Sequence, residues 1–224
     1  MIASLPANGS LTLNSTPVSA GDEIAFADIN SLAYQPVADI NGADADSFTF
    51  QLRDAGGTAN GGVDLDPTPN TLTFDINAVN DAPSGTNITL TINEDNAHSF
   101  VPAEFGFVDV NEGDGFQSVV IASLPANGSL TLNTTAVSAG DEIAVVDITD
   151  LAYQPLADIN GANADSFTFQ LRDDGGIANG GIDLDPNPDT FTIDITAVND
   201  APQVDLDIDD SSTCLLYTSD AADE

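Results

Sequence analysis

Side-chain oxygens spaced to hold a hard cation are the chemistry most plainly written into this chain. The run Asp109-Val-Asn111-Glu-Gly113-Asp114 sets oxygen donors at alternate positions beside a glycine, the spacing by which a tight loop wraps Ca²⁺. It lacks the closing bidentate Glu of an EF-hand loop, and a solvated acidic turn is the competing reading. Further Asp-rich turns stand at Asp158-Ile-Asn160-Gly161 and Asp183-Leu-Asp185-Pro186, with Asp39, Asn41, Asp64 and Asp66 at matching places earlier in the chain. Asx residues favour turns for backbone reasons alone, so these carry less. His98 is the only histidine, with no Cys or second His to share a metal, and zinc is not expected. As a base it would need a poised nucleophile and an orienting group; no serine-elbow motif is present, and no enzyme is expected. Arg53 and Arg172 stand beside Asp54 and Asp173 and read as neutralisers of local acid rather than as an anion site.

Charge sharpens the same point. The chain has 37 acidic residues against two Arg and no Lys, a formal charge of −35. Its 42% hydrophobic content is ordinary, which separates it from disordered acidic tails. Such a surface repels nucleic-acid phosphates and anionic lipid, so neither nucleic acid nor a membrane is an expected partner. No apolar run approaches the length of a membrane span. Self-repulsion calls for compensation by high ionic strength or divalent cations, and carboxylate oxygens suit Ca²⁺ best.

The elements that must position these acids come in duplicate. Ile2 to Leu13 returns letter for letter as Ile121 to Leu132, an offset of 119 residues that holds to Asn80-Asp81-Ala82-Pro83 and Asn199-Asp200-Ala201-Pro202. About four in five aligned positions are identical. That period is one domain rather than a solenoid unit. Residues 1–82 read as the C-terminal part of a repeat lacking the counterpart of Pro83 to Val119, 83–201 as a complete repeat, and 202–213 as the start of a third. In the complete repeat, period-two alternation marks strands at Asn87 to Ile92, Gln117 to Ser123, Ser129 to Leu132, Leu151 to Gln154, Ser166 to Arg172 and Thr190 to Ala197. Phe167, Phe169 and Leu171 share one strand face, as do Phe191, Ile193 and Ile195; these and Tyr153 read as core. Asn127-Gly128 reads as a hairpin turn, and Pro102 to Phe105 and Ala144 to Thr149 as single helical turns. About seven short strands predict an all-β fold, an antiparallel β-sandwich. The first copy should expose a sheet edge.

At Ala78 to Pro83 and Ala197 to Pro202 the junction reads AVNDAP. With Asn93-Glu94-Asp95, Phe105-Gly106-Phe107-Val108-Asp109, Ser166 to Gln170 and Arg172-Asp173-Asp174-Gly175-Gly176, it resembles the tandem cadherin-like and Ig-like repeats of large bacterial secreted or surface adhesins. The resemblance covers Met1 to about Gln203. It implies extracellular or cell-surface β-sandwich extenders stiffened by Ca²⁺ between domains. Carried over, Glu94 matches the early glutamate ligand, Asp173 the strand-end acid, and Asn199 and Asp200 the junction. Between the first two copies the matches are Asp54, Asn80 and Asp81, with Asp109 and Asn111 completing the shell. Cadherin junctions carry a further Asp before and an Asn after the Asn-Asp pair; Ala78 and Ala82 stand there, or the places are missing, which implies fewer or weaker ions. Separately, Cys214 to Glu224 breaks the register and resembles a translated sequencing-library adapter, so 214–224 is set aside as a non-native tail.

Three functions are open at this stage. The first is a structural extender supporting cell-surface adhesion or biofilm formation, whose partners are adjacent repeats of the same chain, with any cell-surface or matrix ligand bound by other domains. The second is a carbohydrate- or protein-binding sandwich module, against which stand the absence of Trp and the presence of only three Tyr. The third is a protein acidic merely because it works in brine.

Overall fold

The computed structural model describes residues 1–110 and 113–201, with the backbone alone of Val204–Asp205 and Leu216–Tyr217. The fold is all-β, and the chain divides into two compact units, Met1–Val79 and Asn80–Glu224.

Unit 1 contains β1 (Ile2–Ser4), β2 (Gly9–Leu13), β3 (Thr16–Pro17), β4 (Leu32–Pro36), β5 (Gly42–Phe50) and β6 (Asn70–Ile76). They form two antiparallel sheets, β1-β5-β6 and β3-β2-β4. Ile2, Leu11, Val18 and Phe48 are its buried apolar residues.

Unit 2 contains β7 (Ile88–Asn93), β8 (His98–Ser99), β9 (Phe116–Ile121), β10 (Gly128–Leu132), β11 (Thr135–Ala136), β12 (Glu142–Ala144), β13 (Leu151–Pro155), β14 (Gly161–Asp173) and β15 (Asp189–Thr196). One sheet runs β12-β9-β14-β15-β7 and the other β11-β10-β13-β8. Alternation dictates which face is buried: Phe167, Phe169 and Leu171 from β14, Phe191, Ile193 and Ile195 from β15, and Leu130, Leu151 and Tyr153 from the second sheet share one core. Phe100 and Phe105, the latter from the 3₁₀ turn Pro102–Phe105, pack edge-on between the layers. A second 3₁₀ turn spans Val145–Asp150. Among the described residues no helix is long and apolar enough to cross a membrane.

Two sequence expectations are corrected. Asn127-Gly128 is not a hairpin: β9 and β10 lie in different sheets, so the chain crosses between layers there. The Asp165 carboxylate accepts from the N–H groups of Ala126 and Asn127, and a Cβ on Gly128 would overlap the Tyr153 ring, so this glycine provides room rather than a positive φ. The two-residue hairpin loop is instead Asn133-Thr134, with φ of 48° and 68°, between the paired Leu132 and Thr135. A Thr in that conformation is unusual, which hid the turn. The larger sheet is also not wholly antiparallel. β7 runs parallel to β15, from Ile88 opposite Phe191 to Asn93 opposite Thr196. Alternation reports which face a residue occupies, not which way a strand runs.

The parallel pair has a consequence for organisation. First and last strands running the same way bring the chain in at one pole of the unit and out at the other. The upstream pole carries the start of β7, the start of β15 and the end of β14; the downstream pole carries the ends of β7 and β15 and the start of β14.

Candidate metal centre

β14 continues its inward-facing series one residue past the apolar core. Asp165, Phe167, Phe169, Leu171 and Asp173 are all buried, with exposed or half-buried residues between them. An acid therefore stands at a core-facing position at each end of the strand, and the two are treated differently. Asp165 accepts from Tyr153 Oη at 2.8 Å and from the N–H groups of Ala126, Asn127 and Ser166. Burial and that hydrogen bond raise the Tyr153 phenol, so the pair is a satisfied structural network.

Asp173, 1% exposed, is not satisfied. Its Oδ1 accepts from Asn80 Nδ2 at 3.0 Å and from Gly175 N at 2.9 Å. Its Oδ2 is buried with no hydrogen-bond partner. Of the buried carboxylate residues Asp46, Glu94, Asp165, Asp173 and Asp185, it alone carries such an oxygen. Asn80 is fixed tightly: Nδ2 also donates to Ile182 O at 2.8 Å, and Ile182 N donates back to Asn80 O at 3.0 Å. Its amide oxygen Oδ1 is likewise buried and without a partner. Asp114 joins them, for a Cβ on Gly175 would overlap both Asn80 Oδ1 and Asp114 Oδ2. Gly175 is thus a glycine because two oxygens converge on its missing side chain.

The donor set tests the fit of a cation. Buried charge and orphaned acceptors each cost free energy unless something positive meets them. Every acceptor here is oxygen, the set carries two carboxylates, and the remaining places of a six- to eight-oxygen shell are of the kind that water or backbone carbonyls fill, so the set suits Ca²⁺. Among the described residues no three carboxylate, imidazole or thiol side chains come together; a cation here depends on the Asn80 amide as well as on the acids.

The other expected ligands are dispersed. Asp81 is half-buried beside Asn80, and Asp109 is half-buried just past Val108, which exchanges backbone hydrogen bonds with Ser84 at 2.9 Å. Asn111 lies outside the described residues. Asp54, in unit 1, is exposed and accepts from Gly56 N at 2.7 Å. The strand register sets Asp173 at the upstream pole and Glu94, Asn199 and Asp200 at the downstream one. Glu94, 2% exposed, accepts from Val198 N and from Asn160 Nδ2, pinning the end of β15. Asn199 and Asp200 are exposed, and Asn199 Nδ2 donates to Asp200 O at 3.0 Å.

Arg172 faces outward and bonds Glu142 at 2.8 Å and Asp183 at 2.6 Å rather than the neighbouring Asp173. Arg53 does the same with Glu23 and Asp64. Near the centre, Asp185 Oδ2 accepts from Gly85 N at 3.1 Å, and burial together with the Asp185 charge pushes the Asp189 carboxyl above the usual range, against the pull of that same N–H. Sequence reasoning placed Asp114 in a candidate loop without linking it to Asn80. The available signal was the inward register of Asp173, two residues past Leu171.

No protein-family model matches the chain, and neither a curated protein nor a solved structure does.

Proposed function

We propose that this chain is a segment of a tandem array of cadherin-like or Ig-like β-sandwich repeats, about seven strands each, serving as an extender of a large extracellular bacterial adhesin. Calcium bound by Asn80, Asp114 and Asp173 would hold each repeat where the chain arrives from the one before. The array would support cell-surface adhesion or biofilm formation, with ligand binding left to other domains.

The observation that carries this reading is Asp173: a buried carboxylate with one oxygen lacking a hydrogen-bond partner, bonded through its other oxygen to Asn80 of the incoming linker, whose amide oxygen is also orphaned. Charge of −35 supports it, because repeats so acidic repel one another unless a divalent ion intervenes. So does the parallel first and last strand, which threads the unit from pole to pole as an extender requires. No catalytic residue is assigned; His98 bonds Glu104 at 3.1 Å and packs edge-on against Phe100. The test is small-angle scattering on a tandem of two copies of residues 80–201, with calcium and with chelator. The reading expects a longer, stiffer particle in calcium, and an unchanged maximum dimension removes the calcium role.

A further inference from the structure

Strand β7 is the last of its sheet among the described residues. The devices that guard such an edge are missing from it. From Ala82 to Asn93 the chain holds no charged side chain, β7 holds no proline, and its pairing with β15 carries no bulge. In a chain of charge −35, the edge strand is neutral.

The edge also has a definite hydrogen-bonding parity. Glu94 N donates to Thr196 O. Groups alternate sides along a ladder, so Ile92, Leu90 and Ile88 turn theirs to β15 as well. Thr89, Thr91 and Asn93 therefore turn their N–H and C=O groups outward, beyond the sheet. Their side chains are exposed, while Ile88, Leu90 and Ile92 are half-buried against the core.

The strand reads the same in both directions about Leu90: Ile88-Thr89-Leu90-Thr91-Ile92. Laid antiparallel on itself about a twofold axis there, it sets Ile88 opposite Ile92, Thr89 opposite Thr91, and Leu90 opposite its own twin. Thr89 and Thr91 then exchange main-chain hydrogen bonds through the groups that point outward, and Leu90 falls at a non-hydrogen-bonded pair. Palindrome and parity select the same axis independently.

We propose that two copies of the chain join edge to edge through β7, so that the five-stranded sheet of unit 2 continues across a twofold axis into that of the second copy. A second copy fits because its β7 meets this edge with aliphatic on aliphatic and hydroxyl on hydroxyl, and the contact closes on itself. Antiparallel strands set the two units pointing in opposite directions, as arrays from facing surfaces would be; only that use rests on the extender reading. One edge contact is small and weak, and successive repeats would multiply it. Repulsion between copies of charge −35 opposes it, so it should strengthen as salt shortens the screening length.

The experiment is equilibrium sedimentation of the whole chain carrying Cys214→Ser, in chelator, so that the calcium centre plays no part in the outcome. The mass should climb with concentration and salt from 23.0 kDa toward twice that value. Thr91→Pro should hold it at the monomer mass with circular dichroism unchanged, because the lost N–H points outward, where an edge strand accepts proline. Under oxidising conditions Leu90→Cys should cross-link to its twin, since Cα atoms of such a pair lie about 4.5 Å apart, within the reach of a disulfide. Ile88→Cys, which would face Ile92, should not. The cross-link reads the register even where the proline disturbs folding. A monomer at every concentration, association indifferent to Thr91→Pro, or cross-linking as ready at Ile88→Cys as at Leu90→Cys overturns the proposal.

Discussion

Substituting Gly175 by Ala tests the centre at its tightest point. The residue is exposed and its φ is not positive, so the backbone accepts a Cβ. What cannot accept it are Asn80 Oδ1 and Asp114 Oδ2, both closer than 3.0 Å to where that atom would sit. Asn80 has little freedom to yield, being held through Asp173 and by paired hydrogen bonds to Ile182. Asp114 must swing away, and the centre loses a charged ligand. With an affinity of about 10⁻⁴ M, within the range of extracellular calcium modules, 10 mM calcium would stabilise the unit by about 2.7 kcal/mol. For a domain near this size that is a rise of roughly 10 °C in melting temperature. A tenfold loss of affinity reduces the gain to about 1.4 kcal/mol, close to half the shift. Differential scanning calorimetry in calcium and in chelator reads both proteins, with magnesium as the control ion. An undiminished calcium shift in Gly175→Ala would refute convergence on that glycine; no shift in either protein would refute the centre itself.

Thr134→Gly should stabilise unit 2 by about 1 kcal/mol, because Thr134 holds φ at 68° where glycine meets no penalty; urea denaturation measures it. Tyr153→Phe should cost roughly 1.5–3 kcal/mol by removing a buried hydrogen bond to a carboxylate, seen in the same assay. Asp189→Asn should stabilise at neutral pH. The raised carboxyl makes the folded state bind its proton more tightly, so the ionised form is penalised above the folded pKa and the penalty fades as pH falls through it. After solvent screening the gain is a few tenths of a kcal/mol, and it should disappear in acid melts.

Local chemistry made most strands readable. The alternation through Phe167, Phe169 and Leu171 found the inner face of β14 because a strand's two faces are set by counting alone. The turn Pro102–Phe105 was readable from proline at its first position. Strand direction and partner choice were not, for they depend on contacts far apart in sequence. Asn127-Gly128 has the letters of a hairpin, but its glycine answers to Tyr153, in another strand. The centre was half legible for the same reason. Asp173 and Asn80 were each singled out by junction-like motifs, whereas their pairing across 93 positions is a product of the fold.

The two copies of the acidic turn show what completes such a centre. In both, an Asp two residues before a glycine accepts that glycine's N–H: Asp54 from Gly56 at 2.7 Å and Asp173 from Gly175 at 2.9 Å. The turn therefore forms from local sequence alone. Yet Asp54 is exposed and Asp173 is 1% exposed. Asp173 is covered by Asn80, from which it also accepts, and by the loop at Asp114. An exposed carboxylate is content in water and has no call for an ion, whereas a buried one with an orphaned oxygen does. The number of strong calcium sites should follow the number of units that possess an Asn80-type linker, not the number of acidic turns. Titration calorimetry on this chain should then find one such site; two equal sites would mean that the turn alone suffices and that burial of Asp173 is irrelevant to binding.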